Sequence, residues 1–270
     1  LIEKEGISAV IHFAARSLVG ESVAKPDLYF EENMAKTNRF VRVLLRFGVD
    51  KIVFSSTAAV YGNPETLPIP EDAVKEPINP YGASKLMIES SFAWLEQAYG
   101  LKWIALRYFN AAGAALDGSL GEDHTPETHL IPLVLKTALG QREAVSIFGT
   151  DYNTPDGTCI RDYIHVLDLA EAHIGALAAL EEGIPSGAYN VGTGSGYSVQ
   201  EVIAMAEKVT GIHIPVMKAP RREGDPAILV AKVEKIQKAL EWQPQYSDLE
   251  TIIATAWQWH QRHPHGYGGN

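Results

Sequence analysis

The chain has 270 residues, 46% hydrophobic and 21% charged, with a formal net charge of -10 and a single cysteine, Cys159. Such globular composition supplies one large core or two smaller ones, while the acidic balance argues against a general nucleic-acid binder, which needs a basic stripe. One cysteine excludes a disulfide framework and suits a reducing cytoplasm, and no apolar run approaches the ~20 residues that cross a bilayer.

The first residues read as the end of a helix, with Glu3 and Glu5 where a secretory signal would be basic. They run straight into "AVIHFAA" (9–15), a continuous apolar run of the kind buried on both faces of a parallel sheet. The spacing of Phe40, Val43, Leu44 and Phe47 predicts a helix over 28–47, stopped by Gly48. A second buried strand, "KIVFSST" (51–57), ends in hydroxyls and is followed by a proline-rich loop. A helix over 80–99 stops at Gly100, and "KWIALRYFN" (102–110) is a third strand. This alternation implies right-handed parallel crossovers and a doubly wound α/β sheet.

After Asn110 the rhythm breaks into a polar, glycine-containing excursion, then a helix over 130–140. Short strands are expected at "VSIFG", "CIRDYIHV" and "GAYNVGTG", with a helix over 168–182. Ser198 and Glu201 form a capping-box pattern, and the last helix ends near Pro264. The expected organisation is a dinucleotide-binding domain over 1–111 plus about 160–192. A smaller α/β substrate domain covers about 112–159 plus 193–270.

Ligands of a doubly wound sheet bind beyond the C-terminal ends of its strands. There the chain places Phe13-Ala14-Ala15, Ser55-Ser56-Thr57 and Phe109-Asn110. Tyr81 and Lys85, four apart on a helix, share one face. A phenol titrates near 10, so use as a base near neutrality requires about 3 units of lowering, on the order of 4 kcal/mol. A nearby ammonium and an oxidised nicotinamide supply charge of the right sign, and the Thr57 hydroxyl can stand between substrate and phenol. Alone, a Tyr-x-x-x-Lys spacing is weak, since an exposed tyrosine and a solvated lysine produce it often.

The longer motifs are more specific. "VIHFAARSLVGES", "FSSTAAVYG", "PYGASKLMIE", "LRYFNAAGA", "DGTCIRDYIHV", "YNVGTGSGYSV", "APRREGDPA" and "HPHGY" together resemble the extended short-chain dehydrogenase/reductase family, in particular its UDP-hexose 4-epimerase branch. The resemblance spans nearly all of the chain. It implies Tyr81 as base, Lys85 as its electrostatic partner and ribose ligand, and Thr57 as bridging hydroxyl. It places Phe13, Ala14, Ala15, Asn33, Ser55 and Phe109, with Tyr81 and Lys85, around NAD. It assigns Asn110, Leu130, Ser146, Ile147, Phe148, Arg161, Tyr163, Arg222 and Asp225, with Thr57, to a UDP-hexose substrate. Arg161 and Arg222 suit a bidentate diphosphate clamp, and Asp225 can accept ribose hydroxyls. A homodimer is implied as well.

Relatives that dehydrate nucleotide sugars carry an Asp-Glu pair after this threonine, whereas Ala58 and Ala59 stand here and cannot move a proton. The expectation is therefore reversible 4-epimerisation of UDP-glucose and UDP-galactose through a 4-keto sugar. A nucleotide-sugar decarboxylase or reductase, and a silent nucleotide-sugar-binding fragment, stay open as alternatives. The glycine-rich phosphate loop of the fold is missing, so the Rossmann-like sheet is expected to be N-terminally incomplete, with the 9–15 strand on an exposed edge. Gly192, Gly194 and Gly196 lie too late in the chain, at the wrong spacing, to replace it. The histidines at 124, 129, 260, 263 and 265 are expected to be surface residues holding no metal, for want of carboxylates at ligand spacing, and His12 a hydrogen-bonded core residue.

Overall fold

The computed structural model describes residues 1–222 and 225–268 and contains two compact units. The first comprises Leu1–Tyr108, Glu171–Val191 and Lys232–Trp242; the second comprises Phe109–Ala170, Gly192–Ala231 and Gln243–Asn270.

The apolar runs of the first unit form a four-stranded sheet in the order Ala9–His12, Lys51–Ser55, Lys102–Tyr108, Gly187–Val191. Every neighbouring pair is parallel. The two inner strands are buried almost throughout, as continuous Val/Ile/Leu-type runs require when both faces are covered. Ala9–His12 is the edge strand, and all four of its residues are half-buried. Phe54, Ile88, Phe92, Leu101 and Trp103 form part of one core between this sheet and the flanking helices.

The segment expected as one helix over 28–47 has a wider turn in it. Pro26–Tyr29 is α-helical, Phe30–Ala35 is a π-helix, and Lys36–Arg46 is α-helical again. Such a widened turn shifts the register of the side chains and is frequent where one of them must be aimed at a site. Here it contains Asn33, which is fully buried.

In the second unit the helices Leu130–Ala138, Val199–Thr210 and Leu249–Arg262 share a core that includes Leu135, Val202, Ile252 and Ile253. Strand Val145–Phe148 pairs in parallel with Val216–Ala219. Ile160–Arg161 lies between Ile228–Leu229 and Tyr197–Ser198, and Asn110–Ala112 pairs with Tyr163–His165. The expected short strands thus find partners far along the chain, which local pattern does not reveal. The capping box forms, with Glu201 N donating to Ser198 Oγ and Ser198 N to Glu201 Oε2. No helix among the described residues is long and apolar enough to cross a membrane.

Candidate active site

In the first unit, Thr57, Tyr81 and Lys85 converge at the C-terminal end of the Lys51–Ser55 strand. Pro80 is the first helical residue of Pro80–Tyr99, where its missing N–H does no harm. The Asn79 side chain caps the helix by accepting from Gly82 N at 2.9 Å. Gly82 is required: a Cβ there would lie 2.4 Å from Ala59 O. This close approach sets Tyr81 beside Thr57. Thr57 itself caps the short turn Ala58–Tyr61, its Oγ1 accepting from Ala59 N at 3.1 Å.

Lys85 is buried, and its Nζ donates to Ser55 O at 2.7 Å. The ammonium also sits 4.7 Å from the Phe54 ring centroid and 5.9 Å from that of Tyr81. Burial pulls Lys85 down to about 7, and the charge of Glu89 opposes the fall. Burial raises the Tyr81 phenol above its ordinary value, helped by the neighbouring Tyr108, while a hydrogen bond with Thr57 works in the lowering direction. Desolvation of the anion is thus what nearby positive charge must overcome to favour the phenolate.

Asn33 Oδ1 accepts from Arg16 N at 2.8 Å, while its Nδ2 donates to Arg16 O at 3.0 Å and Ser84 Oγ at 3.1 Å. These bonds clasp the loop after the edge strand to the Tyr81 helix. Phe13, Ala14 and Ala15 on that loop are exposed, and the Phe13 ring packs 4.5 Å from that of His173. The Ser55 hydroxyl is bonded to the Tyr108 phenol. His12 is hydrogen-bonded to Thr37 at 3.0 Å, and burial, with the charge of Lys85, depresses it to about 4.

A buried network behind these residues was not foreseen. Glu89 accepts from Ser56 Oγ at 2.5 Å and from Arg107 Nε at 3.0 Å. Arg107 also donates to the Tyr61 hydroxyl at 2.8 Å, which in turn donates to Asn190 Oδ1 at 2.6 Å. A glutamate eight residues after Tyr81 and an arginine in an apolar strand were the only signals available.

In the second unit, Arg161 and Asp225 form an ion pair, and the Arg222 guanidinium lies 3.9 Å from the Phe148 ring centroid. Glu223 and Gly224 of the "RREGD" motif lie outside the described residues. Ser146 and Phe148 are half-buried on one face of their strand, whereas Ile147 points into the core, as does Tyr163. Both are thus left to offer chiefly backbone atoms. Asn110 donates through N at 3.1 Å and Nδ2 at 3.0 Å to Asp162 O. Phe109 is half-buried, and Leu130 opens its helix while packing on the core.

The late glycine cluster has a different task from phosphate binding. Asp162, fully buried, accepts from Thr193 N and Oγ1, both at 2.8 Å, from Gly194 N at 3.2 Å and from Ala231 N at 3.1 Å. A Cβ on Gly192 would meet Asp162 Oδ2 at 2.5 Å. The turn wraps a carboxylate.

The expectation about the loop histidines also needs correction. Glu122, His124, Glu127 and His129 offer ligand atoms that all lie within 4.8 Å of one another. Each histidine follows a glutamate by two residues, so one tight loop gathers all four. Donation to the Glu122 and Glu127 carboxylates raises His129 to about 10.

The first unit has the chemistry to hold a dinucleotide. Its parallel strands end in hydroxyls and a buried lysine, beside an exposed aromatic ring and two alanines that let a flat ring approach closely. The model of the NAD dependent epimerase/dehydratase family matches residues 1–192. The UDP-glucose 4-epimerase of Halalkalibacterium halodurans is 57% identical over 261 residues, covering 97% of this chain and 78% of that protein. A crystal structure of a UDP-glucose 4-epimerase superposes with a TM-score of 0.96 at 51% identity, covering 99% of this chain and 82% of that one. A Bifidobacterium longum UDP-glucose 4-epimerase in complex with NAD+ and UDP superposes with a TM-score of 0.91 at 41% identity, covering 98% and 80%. With most of its length matched by the family model and by relatives well above a third identical, the chain belongs to the NAD dependent epimerase/dehydratase family.

Proposed function

We infer that the chain catalyses reversible 4-epimerisation of UDP-glucose and UDP-galactose, with NAD retained through each turnover. The observation that carries this reading is the meeting of Thr57, Tyr81 and Lys85 in a site where alanines occupy positions 58 and 59. NAD, when bound, supplies a hydride acceptor and a positive charge that favours the phenolate. Tyr81 then takes the proton of the C4 hydroxyl, with the Thr57 hydroxyl between them, and returns it after the 4-keto sugar has turned over. Lys85 holds the ribose and adds its charge beside the phenol.

Phe13, Ala14, Ala15, Ser55 and Phe109 line the cofactor, and Asn33 positions the loop that carries the first three. Arg161 and Arg222 clamp the diphosphate, with Asp225 orienting Arg161 and accepting from the ribose. Asn110, Leu130, Ser146, Ile147, Phe148 and Tyr163 complete the UDP-hexose pocket. Removal of water from the sugar needs an acid–base pair after Thr57, and two alanines cannot supply one.

The test is incubation of the chain with UDP-galactose and NAD, followed by chromatography. UDP-glucose without net NADH is expected. Failure on UDP-galactose with consumption of NADH on a keto nucleotide sugar would instead favour a reductase, and release of carbon dioxide from UDP-glucuronate a decarboxylase. Binding without conversion would leave the silent nucleotide-sugar-binding fragment.

The reading includes a homodimer. Phe40, Val43 and Phe47 are exposed along one side of Lys36–Arg46 and just beyond it, and Met87 and Trp94 along Pro80–Tyr99. Beside Trp94 and Met34 runs an apolar groove of about 650 Å³. A patch of this kind fits a second copy of the same helices. Light scattering should give twice the chain mass, and Trp94→Glu should reduce it to one. A cytoplasmic location agrees with the one buried free thiol, Cys159.

A further inference from the structure

We propose that Glu122, His124, Glu127 and His129 form a binding site for a divalent transition-metal ion of the zinc class, which braces the loop leading into the Leu130–Ala138 helix. His129 Nδ1 lies 2.7 Å from Glu122 Oε1 and 3.0 Å from Glu127 Oε1. His124 Nδ1 lies 2.9 Å from Glu122 Oε1 and 4.0 Å from Glu127 Oε2. Three of these are hydrogen-bonding contacts, in which a shared proton holds the place of the ion; ligands about 2.1 Å from a tetrahedral ion are roughly 3.4 Å apart. A bound ion would displace those protons and draw the four groups to that spacing.

Clustered charge alone would not make a site. The Glu127 side chain is only 4% exposed, and its Oε2 has no hydrogen-bond partner. That oxygen faces His124 at the distance of a second ligand across an ion rather than of a hydrogen bond. A buried carboxylate oxygen without a donor is unfavourable, and a cation among these four groups satisfies it.

The donor set selects the metal. Two imidazoles and two carboxylates suit zinc, cobalt or nickel, whereas magnesium and calcium prefer oxygen throughout. Two carboxylates also neutralise a dication. A polar cavity of about 280 Å³, lined by Glu122, His124, Lys136 and His265 among others, gives a hydrated ion a way in. His129 is the N-cap of the following helix, yet its side chain makes no capping bond. The ion therefore ties the start of that helix, and Leu130 with it, to the preceding loop.

Cobalt(II) is the probe, because its visible absorption is intense only in a tetrahedral, low-symmetry shell. The chain, prepared without a histidine tag and freed of metal by chelator dialysis, is titrated with cobalt chloride. We expect an intense band saturating at one equivalent, displaced by zinc chloride and untouched by magnesium chloride. His124→Ala and Glu127→Gln should each weaken binding by at least about tenfold, while His265→Ala, at the cavity wall, should leave it unchanged. The His124 side chain is 43% exposed, so His124→Ala tests the site even if Glu127→Gln fails to fold. Absence of the band overturns the proposal, as does a band that survives His124→Ala or vanishes in His265→Ala.

Discussion

A Cβ atom on Gly82 would lie 2.4 Å from the carbonyl oxygen of Ala59 and 3.1 Å from Pro77 Cβ. Nothing soft can yield there, since the first obstacle is backbone. The first turn of the Pro80–Tyr99 helix is thus seated against the turn that presents Thr57, and Tyr81 meets Thr57 as a consequence. Gly82→Ala should push the helix start away, lowering stability by about 1–3 kcal/mol. Turnover should fall by more than tenfold, because small misplacements of a proton acceptor carry large kinetic penalties. Paired measurement of kcat and of urea midpoint checks this; a variant with unchanged kcat would show that the contact does not position the phenol.

Tyr81→Phe removes the proton acceptor and little else. Turnover should drop by roughly 10²–10⁴-fold, the usual contribution of a positioned acid–base group. Titration calorimetry with UDP should give an affinity within about threefold of the parent. If the variant keeps full activity, the assignment of Tyr81 as base is wrong.

Burial of Lys85 has a signature in stability against pH. Its value falls from 10.5 to about 7 on folding. Between those limits the unfolded chain binds more protons than the folded one, so this group makes stability rise with pH. Below about 7 the full penalty applies, on the order of 5 kcal/mol. Lys85→Met abolishes the titration, so its stability relative to the parent should be most favourable at pH 6.5 and decline towards pH 10. Urea unfolding of both proteins at several pH values measures it, and parallel curves would contradict the assigned burial.

His12 acts with the same sign at lower pH. Its folded value of about 4 lies below the ordinary 6.5, so its contribution is complete above 6.5 and is lost as pH falls towards 4. His12→Gln should flatten the acid side of the stability profile between those values. A thermal-melting series from pH 4 to pH 7 would register the difference.

Glu89 is the partner of a buried guanidinium. Glu89→Gln leaves Arg107 charged and uncompensated, which typically destabilises by about 3–5 kcal/mol. It also removes the charge that opposes the fall of Lys85. A large drop in the urea midpoint is expected, with Glu89→Asp recovering part of it. A midpoint shift under about 0.5 kcal/mol would mean that the network contributes little.

Much of this protein is legible in residue order because the signals are local. Continuous apolar runs at 51–57 and 102–110 mark strands covered on both faces, and the run at 9–15 marks the edge strand. Pro80 and Gly100 delimit a helix in the sequence, and the structure adds the Asn79 cap. Ser198 and Glu201 meet across one helical turn. The Tyr81–Lys85 spacing follows from helical pitch, and the identity of residues 58 and 59 argues against dehydration with no coordinates needed.

Other features depend on groups brought together from distant positions. Asp162 organises Thr193, Gly194 and Ala231 across tens of residues, so the glycines of that turn could be rejected as a phosphate loop but not explained. The Glu89–Arg107 pair joins a helix to a strand, and Arg161 finds Asp225 across 64 positions. The π-turn that buries Asn33 arises from packing, which overrides a regular helical period. Protonation was the least accessible property of all. Spacing placed Lys85 near Tyr81, but only the folded chain buries both groups, and the desolvation that results opposes the phenolate that nearby positive charge favours.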